Sequence, residues 1–468
     1  MTNRAVVFSF QRLLAGLLVV MSWTSIFVSP GKAQSFTNVP IAGLQGVNLG
    51  SVAWGDYDND GRLDFLITGY GASYTTQLWR NTGSGFSNVT ASVAPGLLGV
   101  SQGAVAWADY DNDGRLDFFL TGVNNVTPIS QLWRNTGNGF TNVTASVAPG
   151  LPGVFDSSIA WADYDNDGRL DFLLTGNYNG SAFSQLWRNT GSGFTNVTVS
   201  VAPGLPGVHY GSVVWGDYDN DGRPDFLLTG NLYTSNNVSQ LWRNTGSGFI
   251  DVTGDEFPTN SLPGVGHSSV TWGDYDNDGR LDFLLMGGVS GSTPVSQLWR
   301  NTGNGFTNVS MPGLPGLQNG SVAWGDYDND GRLDFFLTGS TNSSSFSSTG
   351  MRSQLWRNTG NGFTNVTGSE FLLNSLADLS ESSVAWGDYD NDGRLDFLVA
   401  GVTDSDRASQ LWHNNTPTTN TLPTAPTGLA VSGAANVVTL SWNAASDAQT
   451  PTNGLGYNVR CRHHAKRS

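Results

Sequence analysis

The stretch Trp54-Gly-Asp-Tyr-Asp-Asn-Asp-Gly-Arg-Leu-Asp-Phe65 decides the fold of this chain, because it recurs six more times with almost no change. The other copies begin at Trp107, Trp161, Trp215, Trp272, Trp324 and Trp386. Counted from the first aspartate, every copy has aspartates at positions 1, 3, 5 and 9 and a glycine at position 6. The recurrence indicates an array of identical units. The spacing of the carboxylates indicates an oxygen cage for a hard divalent cation.

Calcium is the cation that this loop fits best, because it accepts six to eight oxygens, whereas magnesium takes fewer protein ligands in a stricter octahedron. A turn chosen only for its geometry would need one or two such residues, not four. In each copy the predicted ligands are four aspartate side chains and the backbone carbonyl of one arginine. They are Asp56, Asp58, Asp60, Arg62 and Asp64; Asp109, Asp111, Asp113, Arg115 and Asp117; Asp163, Asp165, Asp167, Arg169 and Asp171; Asp217, Asp219, Asp221, Arg223 and Asp225; Asp274, Asp276, Asp278, Arg280 and Asp282; Asp326, Asp328, Asp330, Arg332 and Asp334; and Asp388, Asp390, Asp392, Arg394 and Asp396. The sequence therefore predicts up to seven Ca²⁺ ions.

The loop is not that of an EF-hand, which needs a bidentate glutamate at position 12 and flanking helices. Here position 12 is apolar in every copy: Ile67, Leu120, Leu174, Leu228, Leu285, Leu337 and Val399. Gly61 permits the positive φ that turns the chain back over the ion. Four carboxylates in one nine-residue loop would repel each other without a cation, so we expect calcium to contribute to folding.

Each repeat contains four short segments rich in β-branched and aromatic residues, separated by turn residues. In the first unit these segments are 51–54, 63–68, 77–82 and 86–90. No part of the mature chain shows sustained helical periodicity. Four strands in each of seven units predict an all-β fold, a seven-bladed β-propeller of four-stranded blades. A linear solenoid is the alternative.

The two ends of the array complement each other. The seventh unit ends with a third strand at 410–414, and no Gly-Phe-Thr-Asn-Val segment follows it. The missing segment stands at the start of the mature chain, at 35–39. We therefore expect the N-terminal strand to complete blade seven, which leaves no open sheet edge. On this basis the propeller extends over 34–414.

The first 33 residues have the features of a secretory signal peptide. Arg4 and Arg12 precede an apolar run over 13–28, and the small residues at 31–33 offer a cleavage site. A membrane anchor is the alternative, but the run is shorter than the ~20 residues of a spanning helix. We expect a protein that is secreted or displayed at the cell surface, with no membrane span after cleavage and no partner subunit.

After the propeller, residues 415–426 are rich in Thr, Pro and Asn and are predicted to form an extended linker. Two segments at 425–431 and 437–442 then resemble the first strands of a fibronectin type III sandwich. Such a domain needs about 100 residues. Residues 427–468 are therefore predicted to be a partial β-sandwich.

Composition excludes some classes of partner. The formal net charge is −16, and seven copies of four aspartates supply 28 of the 38 acidic residues. The acidity is thus largely the charge of the metal loops. After the leader the chain keeps one lysine, Lys466, and no basic cluster before its tail, so nucleic acid is a poor partner. The only cysteine is Cys461, so stability must come from burial or metal.

Residues 35–414 resemble the FG-GAP/VCBS repeat family, whose best-known members are the propeller domains of integrin α subunits. The Asp-x-Asp-x-Asp-Gly-x-x-Asp loop matches in all seven copies. The Phe-Gly…Gly-Ala-Pro signature of the family is absent, and Val-Ala-Trp-Gly-Asp stands in its place. The resemblance implies the propeller fold and calcium binding. It implies no particular ligand, because the family serves adhesion, sugar binding and enzyme-accessory roles.

The inventory of reactive residues argues against an active site. Between 34 and 414 there is no lysine or cysteine, and the three histidines, His209, His267 and His413, lie in different units. The acid pairs Asp255-Glu256 and Asp404/Asp406 suit exposed loops better than general acid–base catalysis. The sequence predicts a non-catalytic binding or adhesion module for protein or glycan ligands. The alternatives are a carbohydrate-binding accessory propeller and a lyase-like enzyme acting on polysaccharides.

We expect recognition on the face opposite the metal loops, where the copies diverge in length and residue type. This face holds the segments between second and third strands, at 70–76, 123–130, 177–184, 231–239, 288–296, 340–353 and 402–409. The best candidates for ligand contacts are tyrosines in or beside these segments: Tyr70, Tyr74, Tyr178, Tyr210 and Tyr233. The tryptophans equivalent to Trp79 are expected to pack in the core rather than stack on sugars.

Overall fold

A computed structural model describes residues 35–443, except for 234–235, 258–261, 292, 343–349, 373–374, 418–423, 426 and 435–436. The predicted signal peptide, most of the predicted linker and residues 444–468 lie outside the described residues. Antiparallel four-stranded sheets, one for each repeat, make up almost all of the described part. Those of repeats four and five are joined by one further pair, Val238 with Val265.

The four strands of each blade occupy equivalent places, and each list below runs in blade order. The first strands are β2 (Val52–Gly55), β6 (Val105–Ala108), β10 (Phe155–Ala162), β14 (Val213–Gly216), β18 (Val265–Gly273), β22 (Val322–Gly325) and β26 (Ser380–Gly387). The second strands are β3 (Asp64–Tyr70), β7 (Asp117–Asn124), β11 (Asp171–Tyr178), β15 (Asp225–Asn231), β19 (Asp282–Val289), β23 (Asp334–Ser340) and β27 (Asp396–Val402). The third strands are β4 (Tyr74–Asn81), β8 (Thr127–Asn135), β12 (Ser181–Asn189), β16 (Asn237–Asn244), β20 (Val295–Asn301), β24 (Met351–Asn358) and β28 (Arg407–Asn414). The fourth strands are β5 (Phe86–Asn88), β9 (Phe140–Asn142), β13 (Phe194–Asn196), β17 (Phe249–Asp251), β21 (Phe306–Val309), β25 (Phe363–Asn365) and β1 (Phe36–Val39).

The blades form a closed ring. Each first strand contacts the first strand of the next blade, and β26 of blade seven contacts β2 of blade one. The N-terminal strand β1 pairs with β28, with Phe36 opposite Asn414 and Val39 opposite Leu411. The predicted seven-bladed β-propeller and its closure by the N-terminal strand are confirmed, and the linear solenoid is excluded.

One asparagine at the end of each third strand ties neighbouring blades together. Asn135 donates from Nδ2 to the carbonyl of Tyr57 in the preceding blade at 2.8 Å and to that of Leu116 in its own blade at 3.2 Å. Its Oδ1 accepts from the backbone of Gly137 at 2.9 Å. The same inter-blade bond is made by Asn81, Asn189, Asn244, Asn301, Asn358 and Asn414.

Aromatic rings fill the space between the blades. In blade one, Phe65 stacks on Trp79 with ring centroids 6.0 Å apart, and the edge of Trp54 meets Phe65 at 5.4 Å. The indole Nε1 of Trp54 donates to the carbonyl of Ala385 in blade seven. The seven tryptophans of the third strands are all buried, so the prediction that they pack in the core is confirmed. Each such ring gains roughly 2–3 kcal/mol from burial.

A second closed ring lies on the axis, at the end of the first strands away from the metal loops. One residue per blade, five positions before the motif tryptophan, has positive φ, and we call these residues the axial ring: Leu49, Gln102, Asp156, Tyr210, His267, Asn319 and Glu381. The amide of each ring residue donates to the carbonyl of the ring residue in the preceding blade. The one exception is His267, where the amide of the next residue, Ser268, is the donor. Positive φ costs a residue with a side chain on the order of 1–2 kcal/mol.

Short helices follow the fourth strand in five blades: α1 (Thr90–Val93), α2 (Thr144–Val147), α3 (Thr198–Val201), α4 (Thr253–Glu256) and α5 (Thr367–Glu370). The sequence did not predict them, because one turn is too short to show helical periodicity. Asn88 sets up the first of them, since its Oδ1 accepts from the amide and hydroxyl of Thr90 at 3.1 and 2.8 Å. None of the helices in the described part of the chain could reach across a lipid bilayer.

The C-terminal segment forms a hairpin of β29 (Thr427–Ala434) and β30 (Val437–Asn443). These are the two strands that the sequence indicated as the start of a fibronectin-like sandwich. Further strands of such a sandwich would lie after Asn443, outside the described residues. The fibronectin type III identity therefore stays a prediction.

The strand that closes the ring generates the first testable prediction. Phe36 is 1% exposed and packs on Phe371, Phe397 and Tyr327 of blades six and seven. We expect Phe36→Ala to lower the free energy of unfolding by about 3–5 kcal/mol, because it opens a cavity at the closure. Guanidinium unfolding followed by tryptophan fluorescence measures the change. The exposed neighbour Asn38 is the control, since Asn38→Ala should change stability by less than ~0.5 kcal/mol. Equal stability of both variants would contradict the role of β1.

Candidate metal loops and the opposite face

Each metal loop joins a first strand to a second strand, and its own aspartates shape it. The carboxylate at position 1 caps the turn, since Asp56 accepts from the amides of Asp60 and Gly61 at 3.0 and 2.9 Å. Gly61 has φ of 85°, as the sequence predicted, and Asn59 has φ of 56°. All seven copies carry asparagine at the position of Asn59. Asparagine tolerates this conformation better than other residues with side chains.

The loop brings together the carboxylates at positions 1, 3 and 9. In blade one, ligand atoms of Asp56, Asp58 and Asp64 lie within 4.8 Å of one another. The same grouping occurs in blades two to four, with Asp109, Asp111 and Asp117; Asp163, Asp165 and Asp171; and Asp217, Asp219 and Asp225. Three of the four predicted aspartate ligands thus converge on one point in these loops.

The aspartate at position 9 is the most deeply buried. Asp64 is 0% exposed and accepts from the amides of Asn81 at 2.7 Å and Tyr57 at 3.2 Å. Burial raises the pKa of Asp64 to about 7, against the lowering effect of these hydrogen bonds. Burial likewise raises the pKa of Asp334 to about 9. The protein alone therefore stabilises these negative charges poorly.

Two arginines contact the carboxylate at position 5. The guanidinium of Arg62 pairs with Asp60, and Arg80 from the third strand reaches both Asp58, at 2.6 Å, and Asp60, at 3.2 Å. Sequence analysis assigned only the backbone carbonyl of Arg62 to the loop and missed Arg80. The signal was present, because six of the seven copies carry arginine at the place of Arg80. In the six loops that have both arginines, four aspartates and two arginines leave two negative charges, which one divalent cation would neutralise.

The residues present fit a divalent cation. The Oδ1 atoms of Asp58, Asp111 and Asp219 are buried and accept no hydrogen bond from any described residue. A buried carboxylate oxygen without a partner is costly. Oxygen atoms at positions 1, 3 and 9 are the type of ligand that calcium prefers. A cation at the point where these carboxylates meet would satisfy the orphaned oxygens. The predicted ligand set as a whole stays a prediction.

The seventh loop differs from the others. His413 replaces the arginine of the third strand, and its Nδ1 lies 3.4 Å from Asp390 Oδ2 and 3.2 Å from Asp396 Oδ1. Asp390, Asp396 and His413 thereby form a group with one nitrogen among its possible ligands. This histidine occupies the strand position that the sequence assigned to it.

Hydrogen bonds join the seven loops in a circle. Asn59 Nδ2 donates to the carbonyl of Gly114 in the loop of blade two at 3.0 Å. Asn391 closes the circle, donating to the carbonyl of Gly61 at 2.8 Å. The intermediate bonds are made by Asn112, Asn166, Asn220, Asn277 and Asn329. The loops therefore form one continuous face of the propeller.

The opposite face carries the tyrosines that the sequence singled out. Tyr70, Tyr178 and Tyr233 are exposed. Tyr74 lies beside Tyr70 with ring centroids 5.2 Å apart. Tyr210 belongs to the axial ring and is half-buried. Sequence analysis missed the other six residues of this ring, although aligning the copies on the motif tryptophan reveals that this position differs in every blade.

A family profile for the FG-GAP-like repeat matches residues 56–120, 121–174, 168–228, 231–285, 288–337 and 343–399, which together cover well over half of the chain. Cartilage acidic protein 1 from Mus musculus is 28% identical over 201 residues, 42% of this chain and 30% of that protein. The Homo sapiens protein of the same name is 29% identical over 201 residues, 42% of this chain and 29% of that protein. This chain therefore spans less than a third of the length of these curated relatives.

Two solved structures are distantly similar. The V. cholerae biofilm matrix protein Bap1 aligns over 82% of this chain and 92% of its own, with 10% identity and a TM-score of 0.43. A mutant of the Aleuria aurantia lectin in complex with Fucα1-6GlcNAc aligns over 69% of this chain and 96% of its own, with 9% identity and a TM-score of 0.39. Similarity at this level carries no argument about what this chain binds.

The circle of asparagines can be tested at Asn220, which has φ of 56° and donates to Gly279 at 3.0 Å. Asn220→Gly keeps the backbone conformation and loses the hydrogen bond, so we expect a loss of about 1 kcal/mol. Asn220→Ala adds the strain of positive φ, so we expect about 2 kcal/mol or more. Guanidinium unfolding at a fixed calcium concentration measures both. Equal effects of the two variants would contradict a conformational role for this asparagine.

Proposed function

Because the chain belongs to the FG-GAP-like repeat family, we propose that it is a secreted, calcium-binding β-propeller that acts as a non-catalytic binding or adhesion module. The observation that carries the proposal is the convergence of three carboxylates in each of the loops of blades one to four, on one face of a closed ring that carries the same loop in all seven blades. Seven copies of one loop suit a scaffold whose rigidity depends on ions. The variable segments then lie on the other face, where a partner would be recognised.

In this proposal the loops hold up to seven Ca²⁺ ions through positions 1, 3, 5 and 9 and the carbonyl at position 7. The ion supplies positive charge where burial disfavours the carboxylates. Asp64, for example, follows the loop as the first residue of β3, so neutralising it stabilises the start of a central strand. Calcium would then contribute directly to the free energy of folding.

The acids considered for catalysis support a binding role. Asp255 and the Asp404/Asp406 pair are exposed on the surface. Glu256 accepts a hydrogen bond from the Tyr218 hydroxyl at 3.0 Å. His413 lies among the carboxylates of the seventh loop. These residues thus have structural or solvent-facing places, which favours a binding module over the lyase-like alternative.

Three observations support an extracellular place for the protein. The predicted signal peptide would direct it out of the cytoplasm. The propeller contains no cysteine that could form a disulfide, so it would depend on calcium, which is abundant outside cells. The curated relatives are named for cartilage and for acidity, and this chain shares the acidity. A chain that covers less than a third of those relatives shares their activity only by proposal.

Removing calcium tests the metal role. We expect EGTA to lower the Tm strongly, since each site contributes about 2.7 kcal/mol when free calcium exceeds its Kd a hundredfold. Asp58→Asn should reduce the number of bound ions by one in calorimetric titration and lower the Tm by less than EGTA does. Asp404→Asn, at an exposed acid outside the loops, is the control and should change neither quantity. An unchanged melting curve in EGTA would overturn the calcium proposal.

The class of ligand is tested separately. We expect immobilised glycans or a matrix protein to retain the chain in calcium and to release it in EGTA. Glycan arrays probed in both conditions distinguish glycan from protein recognition. Turnover of pectin-like or sulfated polysaccharides would instead favour the lyase-like alternative, and it would show that the chain is an enzyme.

A further inference from the structure

The axial ring departs from the repetition that governs the rest of the propeller. Its residues occupy the same place in every blade, yet no two blades carry the same residue there. The metal loops offer an internal comparison, because the position of Asn59 also has positive φ and is asparagine in all seven copies. At that position, where the backbone conformation is the constraint, every copy carries asparagine. The backbone conformation therefore does not determine which residue type stands at each position of the axial ring.

The residues in the ring are poorly suited to their conformation. Tyr210, His267 and Glu381 have φ of 47°, 49° and 47°. Glycine or asparagine would adopt this conformation with little strain. Strain that is retained at chosen side chains is a pointer to function. At Gln102, Tyr210 and Glu381 the ring keeps hydrogen-bonding or aromatic side chains where stability alone would favour glycine or asparagine.

These residues line one cavity of about 260 Å³ on the axis. It opens on the face opposite the metal loops. The next residue in each blade is glycine or serine, and a Cβ at Gly50 would lie 1.8 Å from the carbonyl oxygen of Thr68. The volume is slightly below the ~300 Å³ at which ordinary ligand pockets begin, so it suits one small ring molecule.

The side chains around the cavity form pairs of donors and acceptors. Gln102 Nε2 donates to Asp156 Oδ1 at 3.0 Å, and Asn48 Nδ2 donates to Glu381 Oε2 at 2.5 Å. The rings of Tyr210 and His267 stack with centroids 4.2 Å apart. Among the described residues, no lysine or arginine lines the cavity. An anionic ligand would therefore find no partner charge.

Burial disfavours the charged forms of the titratable groups around the cavity. Burial raises the pKa of Asp156 to about 7, against the lowering effect of its hydrogen bonds from Tyr210 and Gln102. Burial also lowers the pKa of His267. Burial raises the pKa of Glu381, against the lowering effects of its hydrogen bond from Asn48 and of the charge of Arg407. Arg407 stands behind Asn48 and donates from Nε to Asn48 Oδ1 at 2.9 Å.

We propose that this axial cavity binds an uncharged, hydroxyl-rich ring molecule of monosaccharide size. Hydroxyl groups can donate to the carboxylates of Asp156 and Glu381 and accept from the amide of Gln102. The aromatic face of Tyr210 offers a surface for the C–H groups of such a ring. The inference rests on the proposed binding function and deepens it, because it names a site and a class of ligand.

The probes are D-glucose, D-galactose, D-mannose, L-fucose, N-acetyl-D-glucosamine and D-glucosamine, titrated calorimetrically into the full chain with calcium present. We expect at least one neutral sugar to bind with a Kd of about 1 mM or tighter. Gln102→Asn and Asp156→Asn should each weaken binding at least tenfold. Gln102→Asn should not lower the Tm, because asparagine suits the φ of 53° at this position. Val199→Ala, at an exposed residue of α3 outside the axial ring, is the control and should bind as the parent does.

Three outcomes would overturn the proposal: no neutral sugar binds, binding survives both ring variants, or only the cationic D-glucosamine binds. The failure of the calcium proposal is distinguishable. An EGTA-insensitive Tm with intact sugar binding would contradict the metal role and leave the axial site. Glycan-array binding that is unchanged in both ring variants, with no sugar in the cavity, would assign recognition to the loops instead.

Discussion

The structure depends on the burial of each blade against its two neighbours. A single four-stranded blade exposes an apolar face on either side. In blade one Phe65 and Trp79 lie on one face and Leu66 and Leu78 on the other, and only a closed ring buries both faces of every blade. The buried asparagines at the ends of the third strands fix the spacing, because each satisfies a carbonyl of the preceding blade. The N-terminal strand supplies the fourth strand of blade seven, since without it β28 would have no outer partner.

Closure gives the two faces of the propeller different chemistry. One face collects 28 aspartates in seven like loops, joined by a circle of asparagine hydrogen bonds. Their mutual repulsion is only partly offset by arginines such as Arg62 and Arg80. The other face is variable, and its centre holds the axial ring. In every blade the first strand connects an axial-ring residue, whose type differs from blade to blade, to a metal loop, whose sequence is nearly constant.

Sequence reasoning reached the fold because the features that determine it are local and repeated. The spacing of the motif tryptophans indicated the length of the repeat, and the turn residues indicated where the strands end. The incomplete seventh unit predicted that β1 closes the ring. It predicted the burial of Trp79 and the positive φ of Gly61 for the same reason. It missed what depends on meetings between distant segments. Arg80 lies about twenty residues from the carboxylates it contacts, and the side chain of Asn81 reaches a carbonyl of blade seven. The axial ring was missed because its signal is variation at one aligned position.

The closing strand pair also has a mechanical meaning. Phe36 lies opposite Asn414, and the Asn415 amide donates to the Ser35 carbonyl at 2.5 Å, so the chain enters and leaves the propeller at the same end of one strand pair. A force that pulls these two points apart would load the hydrogen bonds one at a time, as a zipper is opened. A force applied through the C-terminal end of β28 alone would pass into β27 and leave the pair unstressed. A propeller built in this way resists load well when it hangs from a single tether and poorly when it serves as a link in a stretched chain.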